Sequence, residues 1–451
     1  MAMTQETKGT IAVSLTNFLD SGCIVAASVA LATTAWPLYF GIDAVWIAFL
    51  GAISANAFGA AVGALVGGFL TDRFGRKFIY TYNLLVYAFG MLWIIFAMNT
   101  WMLGIGIFIS GLSVGAGVPA SWSYISEMSG STRRAQNIGI SQFAWSCGPA
   151  IIFAVSLVLS FFLPTVNEAG EMLNYGLFDG LIAMRILFVM LFVVAIVAWT
   201  LQRQLQESKD WEEKKASGEQ RSFGQLMGLA LSNIINVKTI LFLVCVYLMW
   251  NLVAGMQGQF MPYMYSAAGG LDEVTVSLLN VVMWVLTAAG SIFIFSKLGD
   301  RIPHRILFGV GALIALVAWI IMVIFGFALQ DGTESQFGWL LWVYVALWGF
   351  SAGFSAQCFY ALWSTELFPT IYRGGVQGIM FFLVRSALGI WSLVAVGVLD
   401  VGTPEGFTVS GIIMCVFLAI SLFVGVIGCP KTQGLTLDQI TRERYGEDFD
   451  S

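Results

Sequence analysis

Three charged residues, Asp20, Arg185 and Arg385, stand inside long runs of apolar side chains. A charge held in hydrocarbon costs at least ~2.5–3.5 kcal/mol, so such a residue is expected to face a partner or a cavity. A buried carboxyl suits proton carriage, because desolvation favours its neutral form and a nearby cation favours its charged form. A buried guanidinium suits an anion or a carbonyl. Asp20 is roughly ten residues into the first apolar run and Arg385 roughly twelve into a late one, depths of ~15–18 Å at ~1.5 Å per residue. The expectation is therefore that the two share one aqueous chamber near the middle of the membrane. Asp20 reads as a proton-coupling site, or else as a structural hydrogen bond between helices. Arg385 reads as a ligand for an anionic substrate, as a partner for Asp20, or as a bond to a helix carbonyl. Arg185, near the end of its run, reads as structural, its head reaching the interface.

Uncharged polar side chains give a second set of candidates: Gln142, Asn251, Gln257, Gln259 and Asn280. An amide offers both donor and acceptor atoms, which suits the adjacent hydroxyls of a sugar or polyol. On one helix, Asn251 and Gln257 would lie ~120° apart and are not expected both to face one ligand, whereas Asn251 and Gln259 lie closer at ~80°. Trp284, Tyr360, Trp363 and Trp391 offer flat rings for the apolar face of a sugar. Interhelical hydrogen bonds and ordinary aromatic packing are the competing uses of both sets.

These residues need a scaffold, and composition names it. The 451-residue chain is 58% hydrophobic and 10% charged, against ~25% charged in soluble domains. Twelve runs are long enough to cross a hydrocarbon core of ~30 Å as helices. A β-barrel is excluded by stretches such as Ile186–Trp199, which are apolar without alternation. The predicted fold is an all-α membrane protein of twelve transmembrane helices in two six-helix bundles. All but two of the 21 Lys and Arg residues fall on one side of the membrane, among them Arg73, Arg133, Arg301 and Lys431. Acids alone mark the other side: Asp43, Glu168, Glu171, Asp179, Asp272, Glu273, Asp331, Glu334, Asp400 and Glu405. Retention of basic loops in the cytoplasm predicts that both termini are cytoplasmic. The divisions are 1–203 for the first bundle, 204–237 for a charged central loop, 238–428 for the second bundle and 429–451 for a tail. The first run lacks a basic leader with a small-residue cleavage site and is expected to be a retained helix.

The two halves repeat each other. Glu127-Met-Ser-Gly-Ser-Thr-Arg-Arg134 after helix 4 is matched by Glu366-Leu-Phe-Pro-Thr-Ile-Tyr-Arg373 after helix 10. Asp72-Arg73-Phe-Gly-Arg-Lys77 after helix 2 is echoed by Asp300-Arg301-Ile-Pro-His-Arg305 after helix 8. Parallel repeats of this kind build a site between two rocking halves. Gly68-Phe-Leu-Thr-Asp72-Arg73-Phe-Gly75-Arg76-Lys77 also resembles the loop pattern G-x-x-x-D-R-x-G-R-K of the major facilitator superfamily. Tyr124-Ile-Ser-Glu127, Gln142-Phe-Ala and Pro430-Lys-Thr-Gln-Gly434-Leu-Thr-Leu437 resemble its sugar porter branch.

The resemblance implies an inner gate of Asp72, Arg76, Glu127, Arg134, Glu366 and Arg373, latched while the outer side is open. It places Asp20 where proton-coupled sugar symporters carry a helix-1 aspartate, and Gln142, Gln257 and Asn280 among the sugar ligands. Two departures stand out. Those symporters pair the acid with a helix-4 arginine, and the matching position here, near Ile107, is apolar. The proline motif usual after helix 6 is reduced to Leu205-Gln-Glu207-Ser208-Lys-Asp-Trp211.

The expected function is proton-coupled uptake of a small hydroxylated solute by alternating access, with organic anion transport through Arg385 and uncoupled facilitation as the alternatives. Expected partners are the solute, the proton and the lipid bilayer, with no nucleic acid at a net charge of −5. No cofactor, metal site or enzymatic cluster is expected, and the chain is read as a monomer of the plasma membrane, most simply a bacterial inner membrane. The six cysteines read as small packing residues. His304 reads as a solvated loop histidine.

Overall fold

A computed structural model describes residues 5–32, 35–162, 165–166, 172–174, 180–203, 205, 207, 223–325 and 339–446. The acids Glu168, Glu171, Asp179, Asp331 and Glu334 and the 208–222 portion of the central loop lie outside these residues. Among the described residues, 12 helices have the length and apolarity to cross a membrane. In chain order, helices 1 to 6 are Gly9–Leu31, Ala44–Phe74, Arg76–Ile95, Thr100–Met128, Arg134–Ser160 and Leu181–Gln202. Helices 7 to 12 are Ile234–Ala267, Glu273–Leu298, His304–Phe325, Trp339–Glu366, Arg373–Gly397 and Pro404–Ile427. Helix 1 ends earlier than its apolar run suggests, and Ala35–Phe40 follows as a separate short helix. A two-stranded pairing of Thr165–Val166 with Met172–Asn174 lies between helices 5 and 6.

The helix starts follow from local chemistry. Asn99 accepts from Met102 N at 2.9 Å, Asp43 from Trp46 N at 2.9 Å and Asp272 from Thr275 N at 3.1 Å, each satisfying a donor that the first turn leaves open. Thr403 caps helix 12 with Pro404 in the first turn, where a missing N–H costs nothing. After helix 12, Thr436 and Gln439 form a reciprocal capping box that starts the tail helix Leu437–Tyr445. Tyr445 Oη in that helix donates to Leu367 O at 3.1 Å, and Arg444 to Thr239 Oγ1 at 2.5 Å, so the tail is tied beneath the second half.

Small residues let the helices approach. A Cβ at Gly63 would fall 2.1 Å from Leu112 O, and one at Gly115 2.0 Å from Ala60 O, so helices 2 and 4 touch backbone to backbone. Three spans are interrupted. Helix 2 is two pieces, Ala44–Ile53 and Phe58–Phe74, and helix 10 is Trp339–Ala352 and Ala356–Glu366. Helix 8 passes through a π-helical stretch, Gly290–Phe295, where a Cβ on Gly290 would press 2.3 Å from Phe350 O of helix 10. Exposed side chains such as Val62, Phe89, Val193, Leu313 and Phe423 are apolar, as a lipid-facing surface requires.

Candidate functional site

Between the two halves lies a cavity lined by several helices of each. Helix 1 contributes Ser21, helix 2 Asn56, and helix 5 Gln142 and Trp145. Helices 7 and 8 contribute Trp250, Asn251, Gln257 and Trp284, helix 10 Trp348 and Gln357, and helix 11 Arg385. The walls are thus mostly apolar or aromatic, with a few convergent polar groups, the usual make-up of a small-molecule site. Gln142 Nε2, Asn251 Oδ1, Gln357 Nε2 and the indole nitrogens of Trp250 and Trp284 are buried without a hydrogen-bond partner among the described residues. Orphaned polar atoms facing a cavity are costly alone and are satisfied by a ligand or solvent. Gln257 is engaged already: Tyr344 Oη donates to its Oε1 at 2.5 Å, and its Nε2 contacts Met283 Sδ at 3.0 Å.

Arg385 reaches this cavity, and its Nη1 donates to Asn56 O at 2.9 Å and to Asn56 Oδ1 at 2.5 Å. Its guanidinium lies 4.8 Å from the Phe381 ring centroid. Asp20 does not line the cavity, contrary to the expectation of one shared chamber. At ~100° per residue, helix 1 presents Ser21 to the cavity and turns Asp20 toward helices 3 and 4. There a Cβ on Gly117 would stand 3.7 Å from Asp20 Oδ2 and 2.9 Å from Asn83 Nδ2. Asp20 is 1% exposed, and its Oδ2 has no hydrogen-bond partner among the described residues.

At the end of the bundle that carries the basic loops, the charged residues of the repeat form a layer of buried ion pairs between the halves. Glu127 Oε1 accepts from Arg76 Nη2 at 2.7 Å and from Arg373 Nη1 at 2.9 Å, and Glu366 Oε1 from Arg134 Nη1 at 2.7 Å. Asp72 accepts from the N–H groups of Gly374 and Gly375 at 3.1 and 2.6 Å, at the start of helix 11. Asp300 does the same at the start of helix 5, from Ala135 and Gln136 at 3.1 and 3.0 Å. Each half thus sets a carboxylate on the positive end of a helix in the other half. Glu207, in the reduced motif after helix 6, caps helix 3 through Arg76 N and Lys77 N, both at 3.0 Å. Partial burial, with Glu366 nearby, raises the Asp300 carboxyl above its ordinary range despite the two N–H donors and His304.

Of the residues singled out by sequence, Gln142, Asn251, Gln257, Trp284 and Arg385 meet at the cavity, and Gln259, Asn280, Tyr360, Trp363 and Trp391 do not line it. The expected separation of Asn251 from Gln257 is corrected, because the cavity-facing stripe of helix 7 is centred near Ala254 and includes both, while Gln259 lies off it. Gln257 sits in that stripe beside Gly255 and Gly258, and Gln259 turns to helix 2, 3.5 Å from Ser54 Oγ. Asn280 Nδ2 bonds Val276 O at 2.8 Å, within its own helix. Tyr360 stacks on Tyr247 at 3.9 Å between centroids, and Trp391 packs on Phe417 at 5.4 Å. Trp363 donates its indole N–H to His304 Nδ1 at 3.3 Å. His304 is therefore no solvated loop residue; it opens helix 9 and is buried against Phe359 and Trp363. Arg185 Nη2 donates to Ala97 O at 3.2 Å, a structural bond. Asn56 and Gln357 were missed, although each is a lone amide in the middle of an apolar span, the one signal available.

Twelve spanning helices, an internal repeat and a cavity with convergent polar groups between the halves define a multi-pass membrane transporter of a small solute. Residues 12–393 match the Major Facilitator Superfamily model, and the chain belongs to that superfamily. The minor myo-inositol transporter IolF of Bacillus subtilis (strain 168) is 36% identical over 444 residues, covering 97% of this chain and 94% of its own length. The arabinose-proton symporter of the same organism is 24% identical over 424 residues, covering 86% of this chain and 85% of its own. The structure of the proton:xylose symporter XylE bound to 6-bromo-6-deoxy-D-glucose superposes with a TM-score of 0.74 at 16% identity, over 97% of this chain and 98% of that one, a likeness of fold.

Proposed function

We propose that this chain is a secondary active transporter that takes up a sugar or polyol together with a proton, by alternating access in a bacterial plasma membrane, with its basic end cytoplasmic. The observation that carries the reading is the cavity itself, whose unpartnered amide and indole groups match the hydroxyls of such a solute. The similarity to a myo-inositol transporter over nearly the whole chain supports the same class. In this reading Gln142, Asn251, Gln257 and Gln357 hold the solute, and Trp250 and Trp284 cover its apolar face. Asp20 carries the proton: it is buried, has an unpartnered oxygen among the described residues and adjoins the cavity through Ser21. The layer of Asp72, Arg76, Glu127, Arg134, Glu366 and Arg373 is the inner gate, latched closed.

The test is uptake into proteoliposomes with an imposed pH gradient, using solutes that first raise the thermal stability of the purified protein in a screen of sugars, polyols, sugar acids and organic acids. Accumulation driven by an inward proton gradient is expected, and Asp20→Asn should abolish accumulation while exchange continues. Full accumulation by that variant would rule out Asp20 as the coupling group, and gradient-independent, non-concentrative flux would make the protein a facilitator. A second reading, transport of an organic anion, is favoured by one observation: Arg385 lines the cavity and its Nε–H has no partner among the described residues. If it holds, acids stabilise the protein in the screen and Arg385→Ala selectively removes that stabilisation.

A further inference from the structure

Helix 2 stops being helical between Ile53 and Phe58, in the same layer as the cavity. Ser54 leaves the helix in an extended conformation (φ −70°, ψ 177°), and Ala57 (φ −132°, ψ −120°) leads into the next piece. Asn56 sits in this break, 5% exposed, and bonds both helices of the other half that it faces. Its O and Oδ1 accept from Arg385 Nη1 of helix 11, and its Nδ2 donates to Gly255 O of helix 7 at 2.9 Å. Above it, toward the acidic end, the outer piece Ala44–Ile53 meets the same half: the Phe260 ring lies against Gly51, where a Cβ would fall 2.2 Å from it. Below it, Phe58 packs on Gly389, where a Cβ would meet the ring at 2.7 Å. The Arg385 guanidinium and the Gly255 carbonyl therefore both hold the point at which helix 2 is interrupted.

We infer that Asn56 is a positioning residue of the transport cycle: through Arg385 it clasps the broken helix 2 and closes the outer piece, Ala44–Ile53, over the cavity. The inference rests on the alternating-access reading. The outer piece swings about the break at 54–57, and its release exposes the cavity to the acidic side while the ion-pair layer keeps the basic side shut. Both bonds to Arg385 are charge-assisted, so removing the side-chain bond shifts the closed-to-open ratio by about tenfold or more.

The experiment measures the separation of spin labels placed by Val45→Cys and Val398→Cys, exposed positions at the outer ends of helices 2 and 11, with the native cysteines replaced. It is done on purified protein without solute, so the result does not depend on which solute is carried. Asn56→Ala should add a longer-distance population that the parent lacks, and Asn56→Asp, which keeps an oxygen opposite Arg385, should restore the short one. Asn56→Ser, too short to reach the guanidinium, makes the same comparison if the alanine variant does not fold. In uptake, loss of the clasp should lower the maximal rate, because closure over the solute is impaired. Identical distance distributions in the parent and in the alanine or serine variant would overturn the clasp. So would an aspartate variant as open as the alanine one. Failure of every solute in the uptake assay, with the distances responding as expected, would instead count against the proposed cargo.

Discussion

At the scale of the residue, burial and partner decide what each charge does. Asp300 is a carboxylate set on a helix start, and its pKa is raised on folding because the cost of partial burial exceeds the help from two N–H groups. The folded chain then holds that proton more tightly than the unfolded chain. Its stability contribution is full below the unfolded pKa and is lost as pH rises through the folded one. Asp300→Asn should therefore gain stability relative to the parent at neutral pH, with the gap closing as pH falls; thermal unfolding in detergent across pH checks this, and a pH-independent gap would contradict it. The polar candidates show how far single residues were legible. Gln142 and Trp284 were found because amides and indoles are conspicuous in apolar spans. Gln259 misled because the face of helix 7 that meets the cavity depends on its neighbours, and periodicity alone supplies only relative angles.

At the scale of the element, helices 2 and 4 are joined where glycine removes the side chain. Gly115→Ala would set a methyl 2.0 Å from Ala60 O, so the helices must separate. Overpacking of this kind costs about 1–3 kcal/mol, expected as a lower unfolding temperature, whereas Gly224→Ala, which meets nothing within 4 Å, should be neutral or slightly stabilising. The spans themselves were legible from hydropathy, because length and apolarity are set by the bilayer. Their interruptions were not. The break in helix 2 lies where Arg385 donates to the Asn56 carbonyl, and the π-helical stretch in helix 8 lies where Gly290 meets the Phe350 carbonyl of helix 10, partners that are far away in the chain.

At the scale of the whole molecule, the two halves meet in a charged layer at the basic end and, farther in, around a cavity whose charged lining residue is Arg385. Glu127 joins Arg76 of its own half to Arg373 of the other, so Glu127→Gln should loosen both halves at once. Hydrogen exchange at the starts of helices 5 and 11 is expected to quicken by about tenfold or more in that variant; unchanged exchange at both would refute the latch. The sequence by itself determined the number of spans, the repeat, the basic side and the charged groups of this layer, since each follows from local composition or from short motifs whose residues act together in one loop. Only the tertiary structure decided that Asp20 and Arg385 face different surroundings, that Asn56 holds the guanidinium, and that His304 is buried. The reason is that a helix can be rotated about its axis without changing its hydropathy, and contacts between distant helices set that rotation.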